Sequence, residues 1–241
     1  TPSDQVLTDN PFLDEIILYD KSKTIFQTVS FLKQIRKLRF DCVIDFFGNP
    51  RSSFITFVSG APIKIGFGFR GRSWAYSHPV NVLEEATYAA HDKIKLLEPL
   101  GIFSKNFSLD FFENEKDQDY AKKLFEQLEI KDNDFVVSLS PVSRQPYKVW
   151  PPKRFAQIAD WLVKNYNAKI LFLSGPGEKH FVDSVREFMN QKALPEYDVP
   201  TLSETLSILN QVNLHFGNDN GPRHFAIAGG TPTLAIFGRP W

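Results

Sequence analysis

The sequence predicts an α/β protein in two halves, each a parallel sheet covered by helices. Three observations predict it. Apolar segments of strand length alternate with amphipathic helical segments along the chain, no hairpin turn joins consecutive strands, and the character of the chain changes at the charged stretch Glu113 to Asp119. Strands joined only through helices run parallel, and parallel sheets are buried on both faces. In such sheets ligands bind beyond the carboxyl ends of the strands. A boundary near residue 113 gives domains 1–112 and 113–241.

In the first half, Glu15 to Tyr19 is a short strand candidate. Thr24 to Lys37 reads as a helix with Ile25, Val29, Leu32 and Ile35 on one side. Asp41 to Phe47 is an apolar strand. Asn49-Pro50 then forms an N-cap and first turn for a helix reaching Val58. Ile63 to Phe67 is a further strand, and His91 to Leu100 is a helix stopped by Gly101, where a left-handed cap is usual.

In the second half, a helix carries Ala121, Leu124, Phe125 and Leu128 on one stripe, and Phe135 to Leu139 is a buried strand. Pro152 to Tyr166 is an amphipathic helix and Lys169 to Leu173 a strand. Helices follow over Gly177 to Asn190 and Ser203 to Asn210, with a strand over Leu214 to Phe216. Pro222 opens a helix of small residues, and Leu234 to Phe237 is the last strand.

Composition removes several functions. The 241 residues carry 28 basic and 28 acidic side chains, so the chain lacks the positive field of a general nucleic-acid binder. The single Cys42 can form neither an internal disulfide nor a cysteine–zinc cluster, which fits a reducing, cytoplasmic setting. No apolar run approaches bilayer length. The histidines lack metal-ligand spacing, and no metal is expected. The chain starts at Thr1 without Met and ends at Trp241 close behind a strand, so it reads as cut at both ends.

Three loops of the second half follow strands and fall on one sheet edge. The most informative runs through Asn218-Asp219-Asn220-Gly221 into the helix opened by Pro222. Its backbone N–H groups sit at a helix N-terminus, where the dipole favours an anion. Arg223 and His224 in that first turn oppose the dipole, so something negative is expected between them: a phosphate or diphosphate cradle, with an ordinary polar turn as the alternative. The loop Ser140 to Trp150 brings Ser143, Arg144 and Lys148, enough to grip a phosphate, or else a solvated basic loop. In Ser174-Gly175-Pro176-Gly177-Glu178, Glu178 could accept from ribose hydroxyls or merely close its own helix start. In the first half, Arg51, Lys64, Arg70 and Arg72 could form a basic rim for an anionic acceptor, with solvated loops as the alternative.

Together these segments resemble glycosyltransferase family 9, the ADP-heptose:lipopolysaccharide heptosyltransferases. NPFLDEIILYD, FDCVIDFFGNPRS, IKIGFGFRGR, Lys148-x-Trp150-Pro151 with Arg154-Phe155, SGPGE and GNDNGPRHFAIAGGTPTLAIFG are similar, in order, to the family's motifs. Asn220 stands where the family has Ser or Thr, Arg223 where it has a neutral residue, and SLSPVSRQPYK is one residue longer than the common spacing.

The resemblance implies a GT-B architecture of two Rossmann-like domains facing across a cleft. The first domain would take the lipopolysaccharide core acceptor through Asp45, Asn49, Arg51, Lys64, Arg70 and Arg72, the second the nucleotide sugar, ADP-heptose or a relative. Lys148 and Ser143 would contact the diphosphate or sugar, Glu178 the ribose and Asp219 the sugar hydroxyls. Asn220, Gly221 and His224 would form the diphosphate cradle. Lys148, Asp219 and His224 are the expected catalytic set, with Lys148, the Gly221 helix start and Arg223 stabilising the departing diphosphate without a required cofactor. Inverting transfer follows, by an enzyme that is cytoplasmic and peripheral to the inner membrane. The general base would lie before Thr1. A non-catalytic nucleotide-sugar-binding protein and a nucleotide-sugar epimerase are the alternatives.

Overall fold

Two parallel sheets organise the chain. The computed structural model describes residues 2–20, 24–69, 71–81, 89–104 and 109–238. It divides into two units, one of Leu18–Phe107 and one of Thr1–Ile17 with Ser108–Trp241.

In the Leu18–Phe107 unit, helix α1 (Ile25–Lys37) starts at Thr24, whose hydroxyl accepts from Gln27 N while the Gln27 side chain accepts from Thr24 N. Strand β1 (Cys42–Asp45) leads to α2 (Pro50–Ser59), capped by Asn49 with Pro50 in its first turn. Strands β2 (Ile63–Phe67) and β3 (His78–Val80) complete a parallel sheet in the order β1-β2-β3. The pattern of apolar residues does not reveal β3. It has three residues with Pro79 in the middle, and proline is tolerated there because β3 is the edge strand among the described residues. Helix α3 (Ala89–Ile94) passes into a tighter turn, Lys95–Leu100, which ends at Gly101 with φ 76°. The single helix expected over His91 to Leu100 is thus split, because Pro99 has no N–H to give an α-helical bond. Ile65, Phe67 and Leu96 form the core here.

Glu15 to Tyr19 is not a strand. No strand among the described residues pairs with it, and a strand exists only where a ladder takes its backbone groups.

The other unit holds α4 (Glu115–Gln127), β4 (Val136–Ser140), α5 (Pro152–Tyr166), β5 (Lys169–Phe172), α6 (Lys179–Arg186), α7 (Leu202–Gln211), β6 (Leu214–Asn218), α8 (Gly221–Ala228) and β7 (Thr233–Ile236). Alternate strand residues serve opposite faces. Val137, Leu139, Ile170, Phe172 and Phe216 meet Phe155, Ala156 and Ala159 of α5 and Val182 and Val185 of α6. Val136 and Leu171 meet Ala121 and Leu124 of α4, Ile208 and Leu209 of α7, and Ala226 of α8. Both faces are therefore covered, as a parallel sheet requires.

Helix α6 is shorter than the expected Gly177 to Asn190. Gly177 takes a left-handed φ of 78°, and Asn190 N turns away to donate to Asp160. The N-terminal segment also joins this unit: Leu202 N donates to Gln5 Oε1, Asn114 Nδ2 to Asp9 Oδ2, and Phe12 packs edge-on against Phe112.

All pairings are parallel and the strand order is β5-β4-β6-β7. The chain leaves β4 toward one side and returns to its other side at β6. The direction of winding reverses between these two strands, and the crevice beyond their carboxyl ends is the favoured ligand position.

Candidate functional site

Two loops meet at that reversal, one after β4 and one between β6 and α8. Ser140 lies beside Gly217 in the ladder, and a Cβ at Gly217 would come within 2.6 Å of Ser140 O. Only glycine lets the two strand ends approach so closely. Asn218, fully buried at the end of β6, donates from Nδ2 to Pro141 O at 2.7 Å and accepts from Trp150 N at Oδ1 at 3.1 Å. One side chain thus pins both ends of the loop that carries Lys148. Asn220 caps α8 through Oδ1, and its Nδ2 donates to Ser140 Oγ and Val142 O at 2.7 and 2.9 Å. A serine or threonine hydroxyl has one proton and could not make both of those donations.

Between the two loops sits a charged set. Lys148 Nζ donates to Asp219 Oδ2 at 2.5 Å, and Arg223 Nη2 donates to Asp219 Oδ1 at 2.8 Å. Arg223 also donates to His224 Nε2 at 3.0 Å and lies over the Phe237 ring at 5.2 Å. An arginine has no acceptor, so His224 Nε2 must carry the lone pair, and the imidazole is neutral here. Burial and then the Arg223 charge hold its pKa below the usual histidine value. Burial alone would raise the Asp219 carboxyl, but the Lys148 hydrogen bond and the Arg223 charge outweigh it and keep the carboxyl below its usual range. The same hydrogen bond raises the Lys148 pKa, burial opposing.

The remaining donor-side residues are more dispersed. Ser143 is buried, with Oγ accepting from Gln145 N at 3.3 Å, and Arg144 is exposed. Glu178 turns Oε2 back onto Gly175 N at 2.8 Å, closing its own loop, and makes no side-chain cap bond to the start of α6. Beyond the end of β5 a small pocket is lined by Phe172, Ser174, Lys179, Tyr197, Val199 and Pro200 among others.

In the Leu18–Phe107 unit, Asp45 organises the turn after β1. Its Oδ1 accepts from Phe47 N and Gly48 N, both at 2.9 Å, and its Oδ2 from Ser52 Oγ and Tyr76 OH at 2.9 and 2.8 Å. Burial pushes the Tyr76 phenol up to about 12. Asn49 is engaged as the cap of α2. Arg51 stacks over Tyr19, and Arg72 over Phe69 while donating to Gly48 O. These two basic groups lie at the carboxyl edge of the sheet. Lys64 does not join them: as the second residue of β2 it donates to Ala61 O before the strand, about 10 Å short of that edge at 3.3 Å per residue. Arg70 lies outside the described residues.

Among the described residues, no group of three or more His, Cys, Asp or Glu side chains is placed to hold a metal ion, and no helix is long and apolar enough to cross a membrane. A family model described as glycosyltransferase family 9 (heptosyltransferase) matches residues 28–240. The chain belongs to glycosyltransferase family 9.

This glycosyltransferase is 22% identical to lipopolysaccharide heptosyltransferase 1 of Campylobacter coli, over 97% of this chain and 71% of that one. It is 24% identical to lipopolysaccharide heptosyltransferase 3 of Escherichia coli K12, over 98% and 73%. Among solved structures, the family 9 glycosyl transferase of Veillonella parvula DSM 2008 matches with a TM-score of 0.83 at 28% identity, covering 96% of this chain and 68% of that one. Escherichia coli ADP-heptose lps heptosyltransferase II matches with a TM-score of 0.74 at 16% identity, covering 95% and 71%. The fold class of the glycosyltransferase is thus α/β of GT-B type, as the sequence predicts.

Sequence reasoning brought Lys148, Asp219, Asn220, Arg223 and His224 to one place, and the structure keeps them together. It missed Tyr76, and it missed that Asn218 and Gly238, both within the motif it singled out, act as anchors. A polar residue ending an apolar strand was the available signal for Asn218. Gly238 shows no such signal, yet a Cβ there would fall 2.0 Å from Tyr147 O.

Proposed function

We propose that this glycosyltransferase moves a heptose or related sugar from a nucleotide diphosphate donor, ADP-heptose foremost, to a lipopolysaccharide core acceptor, with inversion. The observation that carries the reading is the Lys148–Asp219–Arg223 set at the N-terminus of α8, beside the point where the sheet's winding reverses. Two cations and a helix N-terminus suit a diphosphate, and a carboxylate between them suits sugar hydroxyls.

In the proposed reaction a general base takes the proton of an acceptor hydroxyl while its oxygen attacks the anomeric carbon, and the bond to the diphosphate oxygen breaks on the opposite side. Negative charge grows on the departing diphosphate, and Lys148 with the N–H groups opening α8 stabilises it there. Glu178 keeps Oε1 for the ribose while Oε2 holds its loop, and the pocket lined by Phe172 and Tyr197 takes the base. Arg51 and Arg72 of the Leu18–Phe107 unit meet the anionic acceptor. A cytoplasmic site of action, in peripheral contact with the inner membrane, belongs to the same proposal.

Calorimetric titration with ADP, ADP-heptose and UDP-sugars tests it. Tighter binding of ADP-heptose than of the UDP-sugars, weakened in both Lys148→Ala and Asp219→Ala, is expected. Preference for a uridine donor would move the assignment to another nucleotide sugar.

A further inference from the structure

The two oxygens of Asp219 are divided between two cations of very different freedom. Lys148 takes Oδ2 from a side chain that is 28% exposed, and among the described residues that ion pair is its only side-chain partner. Its flexible stem can redirect the ammonium at the cost of one contact. Arg223 takes Oδ1 from a side chain only 11% exposed. It is fixed by two further features: its stacking over Phe237 and the bond from its Nη2 to His224 Nε2. Turning Arg223 outward would break all of these, whereas turning Lys148 outward breaks one.

An incoming diphosphate therefore draws on Lys148 and leaves Arg223 in place. Asp219 Oδ2 is then released while Oδ1 stays held, and a carboxylate gripped at one oxygen presents the other in a fixed direction. We infer that Arg223 is a positioning residue, which orients Asp219 so that Oδ2 accepts a hydroxyl of the transferred sugar, while Lys148 exchanges that oxygen for the diphosphate. The inference rests on the donor reading above and gives Arg223 a different task from the phosphate contact its sequence position suggests.

The test compares ADP with ADP-heptose in titrations of the wild-type chain, Arg223→Gln, Asp219→Asn and the double variant. The ratio of the two affinities reports the sugar contact alone. Asp219→Asn and Arg223→Gln should each lower that ratio by about tenfold, the size of one charge-assisted hydrogen bond, with a smaller effect on ADP. The double variant should be no worse than Asp219→Asn, because Arg223 acts through Asp219. Arg223→Lys should recover part of the ratio by keeping the charge without the planar fork, and it serves as the folded control if Arg223→Gln melts early. An equal loss for both ligands in Arg223→Gln would overturn the inference and mark a phosphate contact, as would losses that add in the double variant. Wild-type chain that binds neither ligand would overturn the donor reading itself, a result distinct from either.

Discussion

Trp150 N donates to Asn218 Oδ1, so the last residue of β6 holds the far end of the loop that follows β4. The Asn218 side chain also donates from Nδ2 to Pro141 O at the near end of that loop, and it is fully buried. Asn218→Ala would strand a buried carbonyl and leave Trp150 N unpaired. The expected cost is about 1–3 kcal/mol for each group left unsatisfied, seen as a lower urea midpoint. Because Lys148 rides on this loop, ADP affinity should fall in the same variant, although the Asn218 side chain makes its hydrogen bonds to Pro141 and Trp150 and to no side chain of the charged set. An unchanged midpoint would show that the loop is held by other contacts.

Asp45, which the family resemblance assigns to the acceptor surface, has both oxygens engaged by its own turn and its neighbours. Its two oxygens accept from two backbone N–H groups and two hydroxyls. Asp45→Ala should therefore act on stability, by several kcal/mol given the donors left buried. Tyr76→Phe should cost much less, because Ser52 and the two N–H groups still satisfy the carboxylate. If Asp45 instead bound the acceptor, Asp45→Ala would leave the thermal midpoint in place and raise only the acceptor KM.

The same competition explains how far the site was legible in the sequence. Arg223 and His224 in a helix's first turn imply a nearby anion, and that is met: Asp219, four residues before Arg223, is a carboxylate of the chain itself. Glu178 likewise spends one oxygen on Gly175. Position in the sequence shows which loops reach the ligand edge, because helix stripes and caps such as Asn49-Pro50 and Pro152 to Tyr166 place a helix between successive strands, so the strands run parallel and the loops that follow them share one edge. It does not show which polar groups satisfy each other first. Strand β3 failed for another reason, since its pairing comes from Ile65 to Phe67 of β2 and its own residues, with Pro79 among them, argue for a loop.

His215 gives the chain a pH dependence. It is fully buried on β6, with Nδ1 paired to Ser138 Oγ, and burial and then the Arg223 charge lower its pKa from 6.5 to about 4. The unfolded chain then binds more protons than the folded one between those two values. Stability should be complete above pH 6.5 and fall as pH drops toward 4, by on the order of 3 kcal/mol. His224, shifted in the same direction, adds with the same sign. Urea unfolding at pH 7 and pH 5 should show the loss, and His215→Gln should flatten the slope. A slope equal to wild type in that variant would move the effect to other groups.

Gly238 ties the end of β7 to the charged set through backbone alone. A Cβ there would lie 2.0 Å from Tyr147 O and 3.0 Å from Lys148 Cα. Both neighbours are backbone atoms, so no side-chain rotation relieves the clash. Gly238→Ala must push away the Pro146–Lys148 turn and draw Lys148 Nζ off Asp219. Donor affinity should then fall about as far as in Lys148→Ala, more than tenfold for a charge-assisted contact. Since one variant moves the ammonium and the other deletes it, the double variant should bind no more weakly than Lys148→Ala. Additive losses would mean that Gly238 acts on the donor site by a route other than Lys148.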